Sequence, residues 1–571
     1  MLMRYGLLLL VEISFAAAFR PTLLAARGNA SSVAPWLCDV QVVCRSMLVC
    51  IKSKSHATPF QSDTVIQTPK RFEPTLRNLR LVLVLGTFTL ACVCVIWRSS
   101  AAVSVPSEPA AGPHLDLDAS LTVCGVGRYQ LTIVLAILLA WMADGAENVL
   151  LHSMAKHLVH ALDTDEISVA DLRIFSHAAM ACSAFLSGSA ADSFGRRPVF
   201  CISCLLATTF SLLSIFAPAF WFFCCCRVLA GIGLGALVGT DVALLCEFLP
   251  SSRREWVVPF LYVGYVVGRL FADFCAFKLY PMFDNWRLPF LLCSLPLVPS
   301  CMLRFSLHET PQALLARGFV GHAKRVLGDV AETNRGIRST SCLITGARPV
   351  KQYQGLDFRN CLNAGVWATI RQNQLERVLA VAALAFFMAL GRLLNSLLPE
   401  LEAHFSLFSD SFRSTVWFAA LICLWCALSV ALMQTGLLAW DIFVGGCLVS
   451  QGVLLAFSYL FQMETPGWKS FNLLLSAWAM AEGLTSTPFY AICVRMFPEH
   501  ARATSLGFVD AISRSVVALQ PFLAADLLSS IGTALSAAVL GGCWLCAAAL
   551  ALVWRHLWQA PSPEEVEASK A

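Results

Sequence analysis

Gly188-Ser-Ala-Ala-Asp192-Ser-Phe-Gly195-Arg196-Arg197 joins a long apolar segment ending near Ala191 to the next, which begins at Pro198. A carboxylate, two glycines and two guanidinium groups thus share a turn between two helices of membrane-spanning length. Lys and Arg concentrate in cytoplasmic loops, so the turn is read as a short cytoplasmic hinge. Gly195 can take the positive φ of a tight turn, and Gly188 lets neighbouring helices approach closely. Asp192 can accept charge-assisted hydrogen bonds from Arg196, from Arg197 or from a neighbouring helix N-terminus. A plain positive-inside turn would account for the arginines but not for the Gly/Asp spacing.

The rest of the chain agrees with a membrane setting. Of 571 residues, 57% are hydrophobic and 13% charged, against roughly 25% charged in soluble domains. The twenty-four cysteines lie mostly inside apolar runs such as Cys224-Cys225-Cys226, where a free thiol behaves as a small apolar group rather than as half of a disulfide framework. The net charge of +5 sits in short loops, so it points to membrane orientation and not to nucleic acid.

A spanning helix needs about 20 mostly apolar residues. Twelve such segments follow residue 125: 130–151, 173–191, 198–217, 219–245, 256–279, 287–305, 378–399, 412–433, 437–461, 470–493, 505–527 and 533–555. They divide six and six around a polar stretch at 307–376. That stretch carries Arg317, Lys324, Arg325, Arg335, Arg338, Arg348, Lys351 and Arg359, so it is placed in the cytoplasm with Arg253, Arg254 and Arg502. Loops on the other side carry Asp163, Asp165, Glu166, Asp171, Glu400, Glu402 and Asp410, with few Lys or Arg.

The two sets of six look duplicated. Glu247-Phe-Leu-Pro250-Ser-Ser-Arg-Arg254 ends the fourth segment, and Arg495-Met-Phe-Pro498-Glu-His-Ala-Arg502 ends the tenth; each landmark is displaced by 248 residues (498 − 250 and 502 − 254). Trp141-Met-Ala-Asp-Gly145 likewise parallels Phe387-Met-Ala-Leu-Gly391. Paired six-helix repeats place a binding site at the interface between the halves.

In order along the chain, these stretches resemble the major facilitator superfamily, and within it the synaptic-vesicle-2-related branch near the sugar porters and organic-ion transporters. The resemblance covers about 125–560. It is carried by Gly125 to Gln130, Trp141 to Glu147, the Gly188–Arg197 turn, Arg227-Val-Leu-Ala-Gly231-Ile-Gly-Leu-Gly235, Glu247 to Arg254, Glu309-Thr-Pro311 to Gly318, Phe497 to Arg502, and Ser513-Arg514 to Pro521. It implies an all-α polytopic protein of twelve transmembrane helices in two six-helix bundles. The bundles are placed at 125–306 and 377–557, with a cytoplasmic loop at 307–376 and a polar tail at 558–571. It further implies a likeness to transporters rather than enzymes. By the same resemblance Arg227, Glu247, Arg254, Arg502 and Arg514 join Asp192, Arg196 and Arg197 in an inner-face charge network that latches one state and opens in the other. Two departures stand out. Arg495 occupies the place where the second half of the family usually carries Glu, and Gln434-Thr-Gly436-Leu replaces the second copy of the hinge motif.

Ionisable groups deep in spans are functional candidates by default. Asp144 and Glu147 share one face of the first helix, where a low-dielectric cavity would suit one of them to reversible protonation; the rival reading is a static pair with Arg392 in span seven. Arg269 and Asp273 either neutralise each other in span five or line a substrate path. Glu482 is a cavity candidate, and Asp241 either lines the cavity or faces the bundle. Gly231, Gly233 and Gly235 are read as close helix packing, since no strand precedes them to make a phosphate loop. His152, His157 and His160 lack Cys or acidic residues at metal-ligand spacing.

Ahead of the bundles, residues 1–19 read as a signal-like segment and 20–124 as a basic, transit-like extension containing an apolar helix at 81–97. The extension resembles the bipartite leader of complex-plastid algae; an accidental extension is the rival. Asn29-Ala-Ser31 is a glycosylation sequon only if lumenal. The functional expectation is a monomeric, multi-pass secondary transporter of a small organic solute, coupled to protons, needing no cofactor, in a plasma, vesicular or plastid-type membrane. The alternative is a transporter-like protein that has lost transport and serves vesicle trafficking or acts as a receptor.

Overall fold

In the computed structural model, residues 117–336, 375–393, 411–435, 437–460, 462, 468–497 and 501–559 are described. The signal-like segment, the extension through residue 116 with its 81–97 helix, most of the central loop and Pro498 lie outside them. The described residues are nearly all helical. The spanning helices are α1 (Arg128–Ser153), α2 (Glu166–Phe194), α3 (Arg196–Ser214), α4 (Phe220–Phe248), α5 (Ser251–Phe283) and α6 (Arg287–Ser306). The second set comprises α7 (Leu375–Gly391), α8 (Ser411–Gln434), α9 (Ala439–Leu460) and α10 (Trp468–Met496). One long helix, Arg502–Gln559, is divided by non-helical backbone at Gly532 into α11 (502–531) and α12 (533–559).

Among the described residues nine helices are long and apolar enough to cross a membrane. The other three are α7, only 17 residues as described, and α10 and α11, whose runs are broken by Glu482 and Arg495 or by Asp510 and Arg514. Glu482, Asp510 and Arg514 face inward, as described below, whereas Arg495 lies on an exposed surface. Outward, α1 shows Leu131, α2 Phe175 and Leu186, α8 Leu424, α10 Leu473 and α12 Val553, each more than half exposed apart from the inner contacts of its helix. An apolar surface this continuous suits lipid rather than water.

Helix ends follow the local chemistry. Asp165 caps α2, its carboxylate accepting from the Ser168 amide at 3.3 Å and from the Ser168 hydroxyl at 2.6 Å, and the hydroxyl bond above all holds the Asp165 carboxyl below its ordinary range. Gly195, at φ +102°, both ends α2 and opens α3, a backbone that side chains with a Cβ rarely adopt. Pro259 lies within the first helical stretch of α5 and a π-turn, Cys275–Leu279, near its far end; α6 breaks at Leu295–Pro296.

The stretch after α6 is not all loop, as its polarity suggests. Pro311–Ala316 and Val320–Arg335 are helices, the second burying Ala323, Val326, Leu327, Val330 and Ala331 along one face. Asn334 then pins it to the start of α1, accepting from the Tyr129 amide at 3.0 Å and donating to the Gly125 carbonyl at 2.8 Å. The two halves meet along α2 and α11, along α4 and α11, and where α5 packs on α8 and α10.

Candidate functional site

The hinge turn is built into a buried latch at the basic face. One oxygen of Asp192 lies 3.0 Å from Arg196, and the other accepts from the amide and hydroxyl of Thr504 at 2.8 and 2.7 Å. Thr504 is in the first turn of α11, where amides have no helical partner and the helix dipole favours an anion. Asp192 therefore ties α2 of one half to the start of α11 in the other. Arg196 continues the chain of contacts to Glu247 of α4 at 2.7 Å. Glu309 closes the other side, accepting from the amides of Arg196 and Arg197 at 3.1 and 3.2 Å at the start of α3. Gly188 lets α2 lie against the backbone of Ala503 and Thr504, where a Cβ would overlap both.

The 248-residue repeat is visible in geometry. Arg254 donates to the Leu249 carbonyl at 3.0 Å, and Arg502 to the Phe497 carbonyl at 3.3 Å, each five residues back. The remaining landmark differs. Arg495, in the position equivalent to Glu247, pairs with Glu255 of α5 at 2.6 Å on an exposed surface.

Two residues expected in this inner-face network lie elsewhere. Arg514 sits deep in α11 and grips Asp144 of α1 with both terminal nitrogens, at 3.2 and 2.9 Å, while its Nε contacts Asp510 at 2.7 Å. Arg227 pairs with Glu147 inside the first half, its guanidinium 5.2 Å from the Phe290 ring. These contacts also correct the expected partnership of Arg392 with Asp144 and Glu147; Arg392 donates instead to Ser486 at 2.8 Å. Arg269 and Asp273 do not neutralise each other. Arg269 reaches across to Glu482 of α10 at 3.2 Å, Glu482 also accepting from the Tyr262 hydroxyl at 3.0 Å, and Asp273 accepts from Ser153 at 3.3 Å. In each case a charge four residues away on the same helix lost to a partner on another helix, because helix rotation aims the side chain into the bundle.

Asp241 faces the bundle. Arg304 of α6 holds it in a fork at 2.7 and 2.8 Å, Trp141 donates at 3.2 Å, and Arg304 also donates to the Phe200 carbonyl at 3.0 Å. Four helices of the first half converge there with donors and acceptors matched. This is a static buried pair, whose rupture would cost about 3–5 kcal/mol. Arg304 and Asp510 were missed in the sequence, although both are ionisable groups within a span.

One turn outward from Asp144, the amide of Asn148 donates to the Asp144 carbonyl at 2.7 Å, and Asn148 Oδ1 lies 2.8 Å from His177 Nε2. His177 Nδ1 lies 2.8 Å from the Arg173 carbonyl. Both ring nitrogens thus face oxygens that only accept, so the ring fills both contacts only when protonated. His152 takes Arg173 at 3.1 Å, and His157 packs on Tyr280 with the rings tilted and centroids 4.0 Å apart. Burial and the neighbouring His160 hold the His157 pKa below its usual value. Among the described residues no group of three or more His, Cys, Asp or Glu could hold a metal.

Between the halves lies a small cavity of about 60 Å³, lined by Tyr262, Arg392, Ser486, Phe489, Tyr490 and Asp510 among others. That is room for a few waters, less than a bound solute needs. The basic-face latch is closed, and Asp144–Arg514 and Arg269–Glu482 pair across the halves. Gly231, Gly233 and Gly235 do pack closely, against Ser176, Ser203–Ala207 and Met180.

Comparison with known proteins agrees with this geometry. The family described as "Sugar (and other) transporter" matches residues 155–391. Synaptic vesicle glycoprotein 2B of Rattus norvegicus is 25% identical over 317 residues, covering 52% of this chain and 46% of that protein. Synaptic vesicle glycoprotein 2A of Homo sapiens is 28% identical over 229 residues, 38% of this chain and 31% of that protein. The chain thus spans about half or less of the length of these vesicle glycoproteins. Putative transporter svop-1 of Caenorhabditis elegans is 25% identical over 440 residues, 74% of this chain and 83% of that protein. Among solved structures, the proton:xylose symporter XylE superposes with a TM-score of 0.58 at 16% identity, covering 75% of this chain and 95% of that one. The human organic anion transporter MFSD10 gives 0.53 at 15% identity, over 76% and 99%. The fold is the major facilitator fold, and the chain's sequence similarity lies with the sugar-transporter family and with synaptic-vesicle-2 and svop-type proteins. Nine of its described helices are long and apolar enough to cross a membrane, as in a multi-pass membrane protein, and the proteins it resembles are named as transporters or vesicle glycoproteins.

Proposed function

We propose that the chain is a secondary transporter that moves a small organic solute by alternating access, acting as a monomer in the bilayer and coupled to protons through Asp144. The observation that carries this reading is the placement of Arg514 between two carboxylates, Asp144 in the other half and Asp510 one turn away on its own helix. When Asp144 is ionised, Arg514 bridges the halves. When Asp144 takes a proton, the bridge weakens, yet Arg514 keeps Asp510. The halves can then separate without stranding a bare guanidinium in low dielectric, which would cost several kcal/mol. Asn148 and His177 extend polar contacts outward from the Asp144 backbone carbonyl. On the basic face, Asp192 holds the N-terminus of α11 until the other state is reached, with Glu247, Arg254 and Arg502 bracing the same surface.

Uptake into proteoliposomes, screened over sugars, carboxylates, organic cations and nucleosides, tests the reading. An inward proton gradient should accelerate saturable uptake, and Asp144→Asn should abolish the acceleration while sparing solute exchange. Gradient-driven uptake unchanged in Asp144→Asn would contradict it.

A second reading is a transporter-like receptor or trafficking factor. The missing second hinge motif and the substitution at Arg495 favour it; saturable flux of any solute would argue against it.

A further inference from the structure

Four of the arginines in the spans have carboxylate partners: Arg514 with Asp144 and Asp510, Arg269 with Glu482, Arg227 with Glu147, and Arg304 with Asp241. Arg392 differs. Just past the C-terminal end of α7, its side chain donates among the described residues to the hydroxyl of Ser486, and its Nε has no hydrogen-bond partner. It lines the central cavity with Tyr262, Phe489 and Tyr490.

The two carboxylates nearest this cavity are already engaged. Asp510 faces Arg514 from its own helix, and Glu482 is held by Arg269 and the Tyr262 hydroxyl. Drawing Glu482 onto Arg392 would take it from Arg269, and drawing Asp510 would take it from the Asp144–Arg514–Asp510 cluster. A cation in a low-dielectric cavity with a single neutral partner is an incomplete site. A planar guanidinium is completed best by a carboxylate, which it can grip with two parallel hydrogen bonds. The ring faces of Tyr262, Phe489 and Tyr490 offer an apolar wall for the remainder of such a ligand.

Resting on the transporter reading, we propose that the solute is an organic anion. Once the halves part and the cavity enlarges, its carboxylate docks on Arg392 and Ser486, and its apolar body lies against Tyr262, Phe489 and Tyr490. The neutral hydroxyl of Ser486 holds the guanidinium in place while the site is empty and becomes a donor to the anion when it is filled.

The full chain in proteoliposomes would be given radiolabelled monocarboxylates from acetate to benzoate, with xylose and tetraethylammonium as neutral and cationic probes. Monocarboxylate uptake should be saturable and exceed that of the other two probes at least about tenfold. Losing a charged hydrogen-bonded contact lowers affinity by about ten- to a hundredfold, so Arg392→Gln should raise KM by that factor, and Arg392→Lys by much less. Thermal unfolding of the unsubstituted protein supplies a control that needs no variant: benzoate should stabilise it and benzyl alcohol should not. Equal effects of benzoate and benzyl alcohol, or an unchanged KM in Arg392→Gln, overturn the proposal. Saturable uptake of xylose or tetraethylammonium without monocarboxylate uptake overturns the anion assignment and leaves the transporter reading intact. Saturable uptake of none of the probes overturns both.

Discussion

The α2–α3 turn and its counterpart between α8 and α9 occupy equivalent places in the two halves, yet among the described residues only the first carries a charge network that reaches the other half. Asp192, Arg196, Glu247 and Glu309 interlock there, buried, and reach α11 of the other half. Beside the second, Asp441 pairs with Arg555 inside its own half. At the second turn Thr435 closes locally on the Leu432 carbonyl. The nearest charge-for-charge counterpart, Arg495, makes an exposed pair with Glu255. A buried network is costly to break, because each ion left behind has no water to replace its partner. An exposed pair is worth about 0–1 kcal/mol. Duplicated helices thus keep the same span pattern while the work of holding the basic face shut falls on one half.

Removing the hub should have the largest effect. Arg196→Ala leaves Asp192 and Glu247 buried and facing each other, and should cost about 3–5 kcal/mol, read as a lowered thermal midpoint in detergent; a loss no larger than that of a surface arginine would erase the contrast. Asp192→Asn keeps an acceptor for Thr504 but gives up the charge. About 1.5–3 kcal/mol of closed-state stabilisation should go, shifting the closed-to-open ratio by roughly ten- to a hundredfold and changing the transport rate with little change in solute affinity. Arg495→Glu should cost about 1 kcal/mol or less, and pairing it with Glu255→Arg should restore the original midpoint. If that surface swap matters as much as Asp192→Asn, the latch is two-sided.

The smallest effect concerns pH at the same face. His308 stacks near Tyr129 and lies 3.9 Å from Asp329, and burial holds its pKa below the ordinary 6.5. Folding therefore releases protons from this group. Its contribution to stability is present above pH 6.5 and is lost as pH falls below that value. His308→Gln should slightly flatten the fall in thermal midpoint between pH 7 and 5.5; a steeper fall would reverse the sign.

Hydropathy marked where the spans lie, since about 20 apolar residues leave little choice of conformation in lipid. The Pro250-to-Arg254 spacing marked the repeat, which returns as matching arginine-to-carbonyl bonds. Pairing was far less legible. Asp144 and Arg514 are 370 residues apart, and helix periodicity fixes which residues share a face but not which helix that face meets. The i,i+4 rule therefore suggested Arg269 with Asp273, although Glu482 on α10 is the partner. Arg304 went unnoticed at the end of an apolar run, and Asp510 was legible from Arg514, four residues on. The central stretch looked like loop because its charges hid the buried face of Val320–Arg335.

The most direct test of the one-sided latch is amide exchange of the unsubstituted protein and Asp192→Asn in lipid nanodiscs. The Thr504 amide is held by Asp192 across the two halves, so its exchange reports the latch itself. Exchange over residues 501–507 should quicken by about tenfold or more in the variant, while the α8–α9 turn is unchanged. Unaltered exchange at 501–507, or an equal rise at both turns, would contradict the account.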